Sequence, residues 1–107
     1  MGHNIHGTYE DGRLVSLTPS SFDSLRSYEE FVLNHPQTTY YACAFRGRGR
    51  YDKAEAASLQ DARVAAEGLY EDRPVMLYAV LGGRQVHVGN YPSSDRDGYY
   101  GSRRSNP

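Results

Sequence analysis

Hydrophobic and polar residues trade places along this chain in two rhythms, and the rhythm of each stretch predicts its element. Val75-Met76-Leu77-Tyr78-Ala79-Val80-Leu81 is the most apolar run. Bounded by Pro74 and Gly82 and too short for a helix, it predicts a central strand. Gly82-Gly83 is a two-residue hairpin turn. From it, 84–91 returns with Val86 and Val88 inward and Gln85, His87 and Gly89 on the other face. Thr38 to Arg46 is rich in β-branched and aromatic residues and reads as a strand. Its larger apolar residues, Tyr41, Cys43 and Phe45, share one face and are expected to turn inward; Tyr40, Ala42, Ala44 and Arg46 share the other. Gly47 and Gly49 relieve the backbone, and 50–57 returns as a more polar strand, so Arg46-Gly47-Arg48-Gly49-Arg50 forms a hairpin tip.

Helical spacing governs two other stretches. Ser58 begins a helix with Asp61 three residues on, and Leu59, Ala62, Ala66, Leu69 and Tyr70 form its apolar stripe until Pro74 stops it. A stripe of alanines lets such a helix lie close on a sheet. Thr18-Pro19 reads as a cap followed by proline at the first helical position. Leu25, Tyr28, Phe31 and Val32 continue the pattern as one helix or two short ones, with Ser27 and Glu30 as a second capping signal. His35-Pro36 ends it. Before that, Asp11-Gly12 separates Thr8-Tyr9-Glu10 from Arg13-Leu14-Val15-Ser16-Leu17 and predicts a short hairpin whose apolar-poor first strand lies at an edge.

These elements predict an α+β fold. An antiparallel sheet of two β-hairpins (38–57 and 75–91, in β-β-α-β-β order) carries the helix 58–72 on one face, with the N-terminal hairpin and helix added to it. Residues 1–91 are expected to form a single small domain. The tail 92–107, composed of Ser, Asp, Arg, Gly, Tyr, Asn and Pro without periodicity, is expected to be disordered when free. The expected core is Leu25, Phe31, Val32, Tyr41, Cys43, Phe45, Leu59, Ala62, Ala66, Leu69, Leu77, Ala79, Val86 and Val88.

Composition sharpens this outline. The chain has 107 residues, of which only 19 are Leu, Ile, Val or Phe, while ten are Tyr and none is Trp. A net charge of -1 speaks against wholesale disorder, so the expectation is a small core closed by tyrosine rings and alanines. No apolar run is long enough to span a bilayer, and residues 1–10 lack the regions of a secretion signal, so a soluble cytoplasmic protein without membrane partners is expected. The single Cys43 cannot form an intramolecular disulfide and is expected to be a buried, inert thiol. The four histidines lack zinc-ligand spacing, and Glu29-Glu30 and Glu71-Asp72 read as solvated surface rather than acid/base pairs. With no phosphate loop, dinucleotide fingerprint or nucleophile elbow, neither an enzyme, a metal nor a cofactor is expected.

Charge is local: segment 38–57 carries +2 and segment 1–37 carries -3. The basic excess, Arg46, Arg48, Arg50 and Lys53, lies beside Tyr40, Tyr41, Phe45 and Tyr51, and Arg103 and Arg104 repeat the chemistry in the tail next to Tyr99 and Tyr100. Two functions follow. The first is a small non-enzymatic protein-binding module, an inhibitor or adaptor, using a sheet edge or a sheet face on which Tyr40, Met76 and Tyr78 project; self-association through an edge belongs to the same class. The second is an accessory protein that binds RNA or single-stranded DNA through the Arg46–Tyr51 hairpin, Lys53 and the basic tail, with rings stacking on bases. A pI near 6.4 weighs against the second. A small, single-cysteine, tyrosine-rich chain with a polar tail has the general look of accessory proteins of phages or mobile elements, an analogy that no motif carries.

Overall fold

The computed structural model describes the backbone of residues 3–4 and the whole of residues 6–92. The fold is α+β, with two antiparallel sheets and two α-helices. In chain order the elements are β1 (His3–Asn4), β2 (Gly7–Glu10), β3 (Arg13–Leu17), α1 (Leu25–Asn34), β4 (Thr39–Gly47), β5 (Arg50–Ala56), α2 (Leu59–Leu69), β6 (Val75–Leu81) and β7 (Arg84–Tyr91). The small sheet runs β1-β2-β3 and the larger one β5-β4-β6-β7. Contacts gather the chain into two compact units. The first runs to Thr38 and takes in Ala79–Val86; the second holds Thr39–Tyr78 and resumes at His87. The expected disorder of the tail falls, from residue 93 on, outside the described residues.

In the first unit, Asp11 and Gly12 have φ of 53° and 80°, the paired left-handed conformation of a tight hairpin turn between β2 and β3. β2 does not lie at the edge as expected: His3 and Asn4 pair with Thr8 and Gly7 on its free side. Leu14 and Leu17, on β3, are buried, as are Val32, Ala79, Leu81 and Val86. Thr18-Pro19 opens only a 3-10 turn, Pro19–Ser21, and α1 starts later. Its cap is Ser24, whose Oγ accepts from the Ser27 backbone N–H at 3.1 Å while the Ser27 Oγ accepts from the Ser24 N–H at 3.2 Å. Leu25, the first residue of the helix, lies a turn ahead of the buried Glu29 and Val32 and stays 63% exposed, outside the core expected to contain it. Glu29 itself is buried, not solvated surface. Beyond the helix, Gln37 holds β3 from the side: its Oε1 accepts from the Leu14 N–H at 2.7 Å and its Nε2 donates to the Leu14 carbonyl at 3.2 Å.

In the second unit, β4 and β5 pair antiparallel with Tyr40 opposite Ala56, Ala42 opposite Ala54, Cys43 opposite Lys53 and Phe45 opposite Tyr51. The helix α2 packs on β4 and β5, capped by Ser58, whose Oγ accepts from the Asp61 N–H at 3.0 Å. Ala62 and Ala66 are the buried residues of α2, and Tyr40, Ala42 and Ala44 are buried on β4. The expected facing of β4 is therefore reversed. Small side chains on the helix allow close approach, and close approach is filled by small side chains on the strand; Tyr41 is left half-buried and Phe45 39% exposed. Cys43 is buried in either case, at 9% exposure. On β6, Val75 and Leu77 are wholly buried and Met76 is exposed.

Candidate functional site

The β4–β5 hairpin positions most of the side chains that the sequence singles out. Its tip needs left-handed backbone at three successive residues, with φ of 95°, 56° and 74° at Gly47, Arg48 and Gly49. Glycines supply two of these at little steric cost, and Arg48 takes the third. Arg48 and Arg50 are exposed at this tip and make no ion pair among the described residues.

Arg46 behaves differently. Its Nε donates to Asp52 at 2.8 Å, its Nη2 to the Leu69 carbonyl at the end of α2 at 2.9 Å, and its Nη1 lies 3.4 Å from Glu71. The Asp52 hydrogen bond, with Glu71 adding to it, pushes the guanidinium pKa further up. With 22% of its side chain exposed, Arg46 ties the hairpin to the helix terminus and has little left to offer a ligand.

Tyr40 is also withdrawn. At 8% exposure on the alanine face of β4 it is not a contact residue, and the ring that stands beside Tyr78 is Tyr41. Residues directly opposite one another in a ladder share a face, so Tyr41, Cys43, Phe45, Tyr51, Lys53 and Glu55 lie together on the other side of the strands. Tyr41 stacks on Tyr78 with centroids 5.1 Å apart and planes 21° from parallel. Phe45 meets Tyr51 at 5.2 Å in a tilted contact, and Tyr78 meets His87 at 5.5 Å. His87 is oriented in turn by a 2.9 Å hydrogen bond between its Nε2 and the Asn90 Oδ1.

Cations flank the rings. The Lys53 ammonium lies 5.1 Å from the Tyr41 centroid and the Arg73 guanidinium 5.1 Å from that of Phe45, both within cation–π range. Burial raises the phenol pKa of Tyr41 and Tyr78, with the neighbouring ring adding to it at Tyr41, so both stay neutral donors. Tyr51 and Phe45, at 56% and 39% exposure, and Met76 at 37% complete an aromatic and sulfur-bearing surface bordered by Lys53 and Arg73, with Glu55 the one carboxylate among the strand residues paired on that face.

Of the nine residues singled out from sequence, Tyr51, Lys53 and Tyr78 come together on this face and Arg48 and Arg50 lie at the tip of its hairpin. Arg103 and Arg104 lie outside the described residues. The sequence reading missed Arg73, placed Tyr41 and Phe45 in the core, and gave His87 no role beyond the second face of its strand. The signal available for Phe45 was its cross-strand partner, since Tyr51 on a polar return strand marks the solvent side for both. Arg73 lies in the loop after α2, which no alternation rule reaches. Among the described residues no three histidines, cysteines or carboxylates gather as a metal-binding group, and no helix is long and apolar enough to cross a membrane. No family model matches the chain, and the searches of curated proteins and of solved structures likewise found no match.

Proposed function

We propose that this chain is a small non-enzymatic protein-binding module, an inhibitor or adaptor, that meets its partner through the aromatic face of the β5-β4-β6 strands. The observation that carries the reading is the pair of ring contacts, Tyr41 on Tyr78 and Phe45 on Tyr51, held partly open to solvent beside Met76. Tyrosine, methionine and arginine are enriched at protein interfaces, and tyrosine in particular buries much area while losing few rotamers. The border of Lys53, Arg73, Arg48 and Arg50 suits a partner that is apolar at its centre and acidic at its rim. The face is favoured over the β5 edge, since β5 carries Arg50, Asp52, Lys53 and Glu55, charges of the kind that discourage strand addition and self-pairing.

The test is affinity capture from the native host with the wild-type chain, the double variant Tyr51→Ser/Tyr78→Ser, and Val64→Ser on the exposed side of α2 as control. A partner retained by wild type and control and lost with the double variant supports the reading. A partner that survives the double variant refutes it.

One observation favours a second reading. Lys53 against Tyr41, with Arg48 and Arg50 nearby, is also the chemistry that stacks bases and tracks phosphates of a single strand. Three such phosphate contacts predict about a twentyfold loss of affinity for mixed single-stranded RNA between about 50 and about 200 mM salt. Absence of binding at the lower salt eliminates this reading.

A further inference from the structure

We propose that the groove along α1 in the first unit is a binding site for a guanidinium-type organic cation. The groove is open to solvent and offers about 520 Å³, within the range of small-ligand sites, and ten residues line it. Its floor is aromatic. His6 stacks on Phe22 with centroids 4.0 Å apart and planes 6° from parallel, and Phe31 closes on both rings at 5.1 and 5.2 Å. His35 follows at 5.5 Å from Phe31. All four rings are half-buried, so the floor is neither sealed nor fully wet.

The hydrogen bonds fix how the imidazoles present themselves. Ser21 Oγ–H donates to the Thr18 carbonyl at 2.7 Å, so its oxygen accepts from His6 Nδ1–H at 2.8 Å. His35 Nδ1, by contrast, accepts from the Gln37 backbone N–H at 3.1 Å. Each of these bonds orients its ring at the edge of the groove.

Charge selects the ligand. No lysine or arginine is among the lining residues, whereas Asp23 and Glu30 are. Asp23 makes no ion pair or hydrogen bond among the described residues, and Glu30 engages Arg26 through Oε2 alone, at 3.2 Å. A flat cation that lies on the rings while donating to two carboxylates satisfies both features at once. Guanidinium is flat, weakly hydrated and forked, where ammonium is compact and strongly hydrated. An anion would meet the unpaired Asp23 carboxylate, and the nearest guanidinium, that of Arg26, is already engaged by Glu30.

The experiment is a titration of the full chain with methylguanidinium chloride, followed by the aromatic proton–carbon resonances, with sodium chloride and sodium phosphate as matched controls. A ligand of so few heavy atoms is expected to saturate with a dissociation constant of the order of 1–10 mM, moving the ring signals of His6, Phe22 and Phe31. Asp23→Asn/Glu30→Gln, at two exposed positions and checked for unchanged circular dichroism, is expected to weaken binding about tenfold or more, while Arg26→Ala leaves it in place. A second arm uses an N-acetyl-arginine amide. Tighter binding of the amide than of methylguanidinium marks a guanidinium carried on a peptide, and equal binding marks a free one. Shifts that match those from sodium chloride, binding that survives the double variant, or saturation by phosphate would overturn the assignment.

Discussion

Ala42→Leu puts the reversed facing of β4 under direct strain. Ala42 is wholly buried, opposite Ala54, on the face of the strand pair against which α2 brings the buried Ala62 and Ala66. Leucine adds three carbons there. Were that face open or loosely filled, burying them would stabilise the fold by about 0.8 kcal/mol each, or about 2.4 kcal/mol. In a close-packed alanine layer they must instead push the helix away, at a cost of about 1–3 kcal/mol. The two structures thus predict opposite signs. For a domain of this size the destabilisation corresponds to a Tm lower by roughly 5–20 °C, read by thermal or urea unfolding. Tyr51→Ala is the companion measurement. With 56% of the residue exposed, about half of an aromatic's usual 1.5–3 kcal/mol of burial is at stake, and the loss is expected to be about 0.7–1.5 kcal/mol. An Ala42→Leu variant as stable as wild type, or more so, would refute the packing described for α2.

Other consequences are open to the same kinds of assay. Gly82 and Gly83 both have positive φ, at 55° and 77°, but a Cβ on Gly82 would sit 2.9 Å from the Leu17 backbone nitrogen whereas one on Gly83 meets nothing within 4 Å. Gly82→Ala is therefore expected to cost about 1 kcal/mol or more beyond the strain of about 1–2 kcal/mol that Gly83→Ala brings, as urea unfolding would measure; equal costs would contradict the contact. Ser24→Ala removes half of the α1 capping box and is expected to lower stability by about 1 kcal/mol, with an unchanged value counting against the cap. Burial raises the pKa of Tyr28, Tyr40, Tyr41 and Tyr78 above the ordinary 10.0. The folded chain therefore holds these phenols neutral more firmly than the unfolded chain does. The stability they contribute is whole below about pH 10 and is lost as pH rises through the raised values. Urea unfolding at stepped pH between about 9 and about 11, with phenolate absorbance, is expected to show stability falling and part of the tyrosine ionising only as the fold opens. Stability flat across that range would contradict it.

Turn chemistry made several of the elements legible in advance. Asp11-Gly12, Gly82-Gly83 and the glycines around Arg48 all adopt the left-handed backbone that their residue types invite, and β6 ends where Pro74 and Gly82 bound its apolar run. What failed was the inference from residue size to direction on β4. Larger apolar residues were expected inside, yet the filling of a layer depends on the partner's residues as much as on the strand's own. The alanines of α2 selected the small face, leaving Tyr41 and Phe45 to the solvent side. Arg46 was legible as basic but not as engaged, because its partners Leu69 and Glu71 lie more than twenty residues away and come together with it only in the folded unit. Helix α1 starts at Leu25, at neither of the capping signals Thr18-Pro19 and Ser27 with Glu30, because Ser24 and Ser27 satisfy each other's backbone donors and make Ser24 the cap and Ser27 a residue of the first turn.

Hydroxyl-radical footprinting of the free chain, read tyrosine by tyrosine with mass spectrometry, tests the exposed aromatic face most directly. Tyr51, at 56% exposure, and Met76, at 37%, are expected to be modified readily, Tyr41 and Tyr78 at intermediate rates, and Tyr40, at 8%, scarcely at all. Labelling of Tyr40 as fast as that of Tyr51, or protection of Tyr51 and Met76 together, would contradict the account.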